Sequence, residues 1–404
     1  MRLRILFLNI EEQMTDSSTH LYSPGLVGII ATESSVSNIN GKKGILSYRG
    51  YSIEELAKKS TFEETAYLLL FGDLPTSTQL KEFSDKVREY RILPDDLIKI
   101  LKSLPKETKP MDVLQMTVSS LGTFYNLEVS PEMVKSKKYN KDYFMNTSAA
   151  LIGALGSLVA AWHRIRNGHE PIPSDESKTY AENFLNMLGF EKITPLMTRI
   201  MDATLVLHGE HTINASTFTA MVTSSTLANA SQVVASAIGS LSGPLHGGAN
   251  EKVVSMLERI NKKEDIRPWL DDTLKAKNVV WGMGHREYSV KDPRANILTD
   301  MVQELFEERE GGVTDIFEKA IELEKVCEEK LAHKGVYPNV DFYSGILYKE
   351  MGIPTDIFTP IFAMSRVSGW LAHWIEQIEN NKIFRPTQNY IGSDDRGYTD
   401  INDR

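Results

Sequence analysis

The stretch Gly243-Pro244-Leu245-His246-Gly247-Gly248-Ala249-Asn250 runs directly into Val253, Val254, Leu257 and Ile260. The three- and four-residue spacing of those apolar side chains predicts a helix, and Asn250 is of the type that caps one. His246 then stands just before the positive end of a helix dipole. An imidazolium is disfavoured there, so the ring is expected as a neutral hydrogen-bond donor. Read alone, the same residues also make a plain glycine turn with a helix-capping histidine.

The same helical periodicity recurs along most of the chain, and long Val/Ile alternation is scarce, so the expected fold class is mainly α-helical. Two short helices are expected from Glu54 to Ala57 and from Phe62 to Leu70, the second stopped by Gly72 and Pro75. Residues 44–51 are the best strand or hairpin candidate. Thr217 to Leu241 is dense in small residues, which permits close helix approach inside the protein or at a subunit interface. No fixed-period repeat occurs, which argues against a solenoid.

The chain of 404 residues has 41% hydrophobic and 25% charged residues, as in a soluble globular protein of about two domains. Its formal charge of −9 argues against nucleic acid or an anionic membrane as partner, so an anionic ligand must meet a local cluster of arginines. The single cysteine, Cys327, excludes a disulfide framework and suits a helix core position. Met1 to Ile10 has two arginines before a short apolar run, but Asn9, Glu11 and Glu12 interrupt it, and it is read as no signal peptide. Residues 1–20 are expected as a disordered extension, translation could equally begin at Met14, and a cytoplasmic location is expected.

Two further stretches carry chemistry. His285 lies in Gly282-Met283-Gly284-His285, followed by Asp292-Pro293-Arg294, where a proline-fixed turn can aim Arg294 at a carboxylate. Asp341 lies in Asn339-Val340-Asp341-Phe342-Tyr343, read as a short extended segment. Apolar neighbours would raise its pKa and suit a general base, while its position by itself favours an N-cap starting a helix Phe342–Glu350. His208 and His211, three apart, could share a helix face and hold a metal with Asp341 or Glu210, although the spacing of zinc hydrolases is absent. Asn214 and Ser216 suggest hydrogen bonds to a small polar substrate instead. On a helix over 361–378, Val367, Trp370, Leu371, Trp374, Ile375 and Ile378 form one face. Ser365, Arg366, Gly369 and His373 line another, a groove for a ligand or a partner helix, and Arg385 follows in an extended segment.

In order along the chain, HGEHTINAST (208–217), GPLHGGAN (243–250), GHREYSVKDPR (284–294), NVDFYSG (339–345) and MSRVSGW (364–370) resemble the citrate synthase family, in its compact form without an extra N-terminal domain. The resemblance runs from about Tyr22 to Pro386. It implies a two-domain helical fold, with residues 1–247 and 353–404 in a large domain and 248–352 in a small one that closes over substrate. It implies His246, His285 and Asp341 as catalytic residues, and His211, Asn214, Ser216, Arg294, Arg366 and Arg385 as substrate-binding residues. Acetyl-CoA and oxaloacetate would be the substrates, with no metal or other cofactor. A homodimer is implied, in which Arg385 reaches the partner's site. The family commonly carries Lys or Arg for a coenzyme A phosphate four residues after the second histidine; this chain has Ser289 there, with Glu287 nearby and Lys291 as a substitute. Alternatives are 2-methylcitrate synthase acting on propionyl-CoA, a catalytically silent regulatory relative, and a metallohydrolase using His208, His211 and Asp341.

Overall fold

The computed structural model describes residues 22–127, 133, 140–308 and 312–404; the expected extension 1–20 lies outside them. The described chain divides into a main unit, Ser34–Ile383, and a terminal unit that joins the residues up to Glu33 with Phe384–Arg404. In the terminal unit, Pro24–Leu26 forms one 3-10 turn and Ile401–Asp403 another.

The main unit begins with a three-stranded antiparallel sheet in sequence order, β1 Ser37–Asn40, β2 Ile45–Tyr48 and β3 Tyr51–Ser52. The strand expected near 44–51 is therefore the centre of a small meander. Helices follow: α1 Ile53–Lys59, α2 Phe62–Phe71, α3 Ser77–Glu89, α4 Asp95–Ser103, α5 Pro110–Tyr125, α6 Lys141–Arg166, α7 Tyr180–Leu188 and α8 Pro195–His208. Then come α9 Ala215–Ser225, α10 Ala230–Leu241, α11 Ala249–Glu258, α12 Ile266–Lys275, α13 Pro293–Glu308, α14 Asp315–Leu331, α15 Val340–Glu350 and α16 Phe358–Glu379.

Sequence signals account for the boundaries. Ser52 and Thr61 accept from the amides of Glu55 and Glu64 to start α1 and α2, and Gly72 in the left-handed region ends α2. The helix after His246 starts differently from expectation. Its N-cap is Gly248, without a side-chain bond, and Asn250 falls inside the first turn with Oδ1 accepting from Glu251 N. Asp341 also differs: it lies in the first turn of α15 rather than in an extended segment, and Asn339 supplies the cap by accepting from Asp341 N.

α6 is long and apolar enough to cross a bilayer by length and composition, but almost all of its apolar stretch is buried in the unit. Apart from the half-buried Phe362, α16 is buried on every side from Phe358 to Ile375, which marks the central helix of a large core rather than an amphipathic surface helix. It packs against α2, α6, α8, α9 and α10, and α10 in turn packs against α5 and α9. The groove expected beside Arg366 is filled by the chain itself, because a Cβ on Gly369 would stand 2.5 Å from Gly209 O and 2.2 Å from Glu210 Oε2. α11 and α13 pack on α15, and α12 packs on α14. Cys327 is fully buried on α14, as expected.

Candidate active site

Three junctions assemble the chemistry-bearing loops. The loop 282–284 is stitched to 337–339: Gly284 N donates to Tyr337 O at 2.8 Å, Asn339 N to Gly282 O at 2.9 Å, and Asn339 Nδ2 to Gly284 O at 2.9 Å. This joins His285 to Asp341. Secondly, α11 and α15 approach so closely that a Cβ on Gly345 would lie 2.5 Å from Asn250 O, which ties the loop of His246 to the helix of Asp341. Finally, the end of α8 is held on α16, with Arg366 Nε donating to His208 O at 2.7 Å and Ser365 Oγ bonded to Leu205 O.

Gly282 makes the first junction possible. Its φ is +79°, and an added Cβ would stand 2.7 Å from Val253 and 2.8 Å from Phe342. Gly284 has φ +86°, but its nearest neighbour to an added Cβ, Val336, is 3.7 Å away. Gly284→Ala therefore meets only backbone strain of about 1–2 kcal/mol. Gly282→Ala adds overpacking of about 1–3 kcal/mol. Denaturant unfolding should find Gly282→Ala the less stable of the two.

His246 Nε2 faces the first turn of α9, where Ser216 N donates to it at 3.2 Å and Ser216 Oγ lies 2.8 Å away. The position of a main-chain hydrogen is fixed, so Nε2 accepts and the neutral ring carries its proton on Nδ1. Burial pushes His246 down to about 4, and the Arg366 charge adds to this. The expectation of a neutral histidine at a helix's positive end is met, but by α9 rather than by α11, which follows it in sequence. Ser216 is itself held: Trp370 Nε1 donates to its Oγ at 3.2 Å, and Oγ donates to Asn214 Oδ1 at 2.8 Å. Asn214 is the cap of α9, accepting from Thr217 N at 3.1 Å.

His285 has the opposite tautomer. Its Nδ1 accepts from Glu287 N at 2.9 Å and Tyr288 N at 3.4 Å, so the proton resides on Nε2. Burial lowers its pKa to about 4, with Arg294 contributing. His211 lies beside it, ring centroids 5.0 Å apart and nearly perpendicular, with Nε2 3.2 Å from Tyr288 Oη. Burial, and then Arg294, hold His211 well below the usual histidine range. His211 follows the end of α8, next to Thr212 in the left-handed region at φ 51°, a rare conformation for a β-branched residue.

Two buried guanidinium groups lie close enough for their charge to act on these rings. Arg294 donates from Nε and Nη2 to both oxygens of Asp292 at 3.0 and 2.7 Å; burial opposes its charge, but Asp292 holds its pKa above the usual range. Arg366 is 2% exposed and lies over the Phe362 ring. Asp341 is partly buried, and burial raises its carboxyl to about 6 against the pull of Arg294 and Arg366. The field of Arg366 reaches His246, His211 and Asp341, and that of Arg294 reaches His285, His211 and Asp341.

The structure thus brings together His211, Asn214, Ser216, His246, His285, Arg294, Asp341 and Arg366. Arg385 belongs to the terminal unit, where its Nη1 donates to Pro386 O at 3.0 Å. The metal reading of His208 and His211 loses its geometry. α8 ends at His208, whose Nδ1 bonds to Thr204 O at 2.8 Å while its ring packs on Phe362. Lys291 is not a free substitute for the missing cation at Ser289, because it pairs with Glu324 at 2.5 Å. Sequence reasoning missed Asn339, Trp370 and Tyr288. Tyr288, three residues after His285, and Asn339, two residues before Asp341, had a nearby signal, whereas nothing local ties Trp370 to Ser216.

Comparison with known proteins gives a consistent picture. The family described as citrate synthase, C-terminal domain, matches residues 25–387. The citrate synthase of Synechocystis is 46% identical over 97% of this chain and 96% of its own length. A 2-methylcitrate synthase of Corynebacterium glutamicum is more distant, 38% identical over 97% of this chain and its whole length. Among solved structures, citrate synthase from Pyrobaculum aerophilum superposes with a TM-score of 0.88 at 37% identity, covering 95% of this chain and 97% of that one. The Thermoplasma acidophilum citrate synthase, in ternary complex with carboxymethyl coenzyme A and oxaloacetate, gives 0.86 at 32% identity, covering 96% of this chain and all of the other. From the order of its motifs, its helical core and these likenesses, the chain belongs to the citrate synthase family.

Proposed function

We propose that this protein is a citrate synthase, an acyltransferase that condenses acetyl-CoA with oxaloacetate and hydrolyses the resulting thioester to citrate and free coenzyme A. The observation that carries the proposal is a pair of neutral histidines with opposite free donors, together with a carboxylate base and within the field of two buried arginines. Asp341 takes a proton from the acetyl methyl group while His246 Nδ1–H donates to the thioester oxygen, giving an enol or enolate. His285 Nε2–H polarises the ketone of oxaloacetate, and the enol carbon attacks it to form citryl-CoA. Water then adds to the thioester carbonyl, and the coenzyme A thiol leaves.

His211, Arg294 and Arg366 serve as donors to the oxaloacetate oxygens, with Arg385 of a second copy completing them in a homodimer. Asn214 and Ser216 hold the His246 side. A groove across α5, α9 and α10, lined by Gln115, Ser119, Thr223, Ala235 and Ser236, offers such a dimer a face on which a second copy can pack. No cofactor is needed in this scheme, because neutral hydrogen-bond donors stabilise the enolate and the coenzyme A thioester is a substrate. Residues 248–352, whose helices pack on one another, would act as the small domain that closes over substrate and excludes water. A cytoplasmic place in the tricarboxylic acid cycle accords with this reaction.

The coenzyme A phosphates need cations that Ser289 and Lys291 do not provide. Ser289 N donates to Gly41 O at 3.1 Å, so Lys42 and Lys43 on the β1–β2 turn stand beside that loop, both exposed. Replacing both by glutamate should raise KM for acetyl-CoA about fivefold, leave KM for oxaloacetate unchanged, and weaken the salt dependence of the former.

Release of free thiol from acetyl-CoA and from propionyl-CoA, each with oxaloacetate, tests the function. Preference for acetyl-CoA is expected; preference for propionyl-CoA would make the protein a 2-methylcitrate synthase, and release from neither would overturn the proposal. One methyl group discriminates by only about 1–3 kcal/mol, so both rates must be measured. Sedimentation at assay concentration tests the dimer, and an active monomer would remove Arg385 from the site.

A further inference from the structure

Tyr288 is buried, 2% exposed, and packs against both histidines on the proposed keto-acid side of the site. Its ring centroid is 4.8 Å from that of His285 and 5.7 Å from that of His211. Its hydroxyl is 3.2 Å from His211 Nε2. The phenol stays protonated, since burial raises its pKa far above neutrality despite the opposing charge of Arg294.

A neutral imidazole has one donor and one acceptor nitrogen, and which is which follows from the partner of either. For His211 two arrangements fit the 3.2 Å contact. If Nε2–H donates to the phenol oxygen, Nδ1 offers a lone pair to the site. If the phenol O–H donates to Nε2, Nδ1 carries the proton. Every polar atom of a dicarboxylate keto acid is an acceptor, so a lone pair on Nδ1 would repel it and only the second arrangement binds it. Phenol rotation selects that arrangement without displacing any atom of the ring packing.

We propose that Tyr288 is a positioning residue that fixes His211 as the Nδ1–H tautomer and thereby sets affinity for the keto-acid substrate rather than the thioester. The inference rests on the reading of this site as one that binds oxaloacetate. It differs from the way His246 and His285 are fixed, since main-chain amides hold those two and a side-chain hydroxyl holds His211. The tautomer of His211 can therefore be altered by a single substitution without disturbing the backbone.

Tyr288→Phe retains the ring and removes only the hydroxyl. Loss of one hydrogen bond predicts KM for oxaloacetate raised about tenfold, with KM for acetyl-CoA unchanged. Nitrogen-15 spectra of the ligand-free protein supply the second readout. In the wild type His211 should show a protonated Nδ1 and an unprotonated Nε2, and in Tyr288→Phe a mixture of tautomers. A protonated Nε2 in the wild type would overturn the proposal, as would an unchanged KM for oxaloacetate or equal rises in both KM values. The spectra need no substrate, so a failure of the catalytic assignment would leave the tautomer test standing.

Discussion

Replacing Asp341 by asparagine or alanine is expected to lower kcat for thiol release from acetyl-CoA by about a thousandfold, the usual loss on removing a general base. The fold should survive either change. The helix cap at this position is Asn339, which uses the main-chain N–H of residue 341, and the junction to Gly284 uses Asn339 Nδ2. Asparagine keeps the shape of the side chain and removes its basicity, so equal losses in both variants with unchanged unfolding transitions would assign the effect to proton transfer. The wild-type pH profile gives an independent check. The raised pKa of about 6 keeps part of Asp341 protonated in mild acid, where it cannot accept a proton. Values of kcat/KM should therefore rise with pH through about 6 and then level off. His246 and His285, lowered to about 4, are already neutral there and contribute no limb of their own. Full activity in Asp341→Ala would remove the proposed base.

How far the sequence exposed this site depended on the distance over which each side chain finds its partner. The helical fold and the boundaries of α1 and α2 were legible because caps, glycine stops and apolar spacing act within one or two turns. The chemistry-bearing loops were legible because glycines bracket the histidines, and arginines stand where an anion would need them. What escaped was any hydrogen bond closed by folding. Asn250 and Asp341 had the composition of caps, but Gly248 and Asn339 take those places, since cap selection depends on how the preceding loop is anchored. The groove beside Arg366 looked open because α16 carries small residues there; in fact Gly369 admits the 208–211 turn of the same chain. The helix end that keeps His246 neutral belongs to α9, and no local pattern joins it to that histidine.

That long-range contact makes a contrast between two neighbouring substitutions the second large expected effect. His246→Ala removes the Nδ1–H donor from the thioester oxygen and should lower kcat by about a hundred- to a thousandfold, as does loss of one donor to a developing oxyanion. Ser216→Ala should cost less than about tenfold, the worth of a single hydrogen bond. Although its Oγ contacts His246, Trp370 and Asn214, the donor that fixes the tautomer is the main-chain N–H of residue 216, which alanine retains at the first turn of α9. Alanine is also well tolerated in a helix, so α9 should keep its register. Thiol release at saturating oxaloacetate measures both variants. Proton exchange at the acetyl methyl group, followed by mass spectrometry, then locates the loss at enol formation: it should nearly vanish in His246→Ala and persist in Ser216→Ala. If Ser216→Ala instead matched His246→Ala while remaining folded, the hydroxyl would be the tautomer-setting group. The Ser216 O–H would then donate to Nε2 rather than to Asn214, and the main-chain amide alone would not suffice to keep the ring proton on Nδ1.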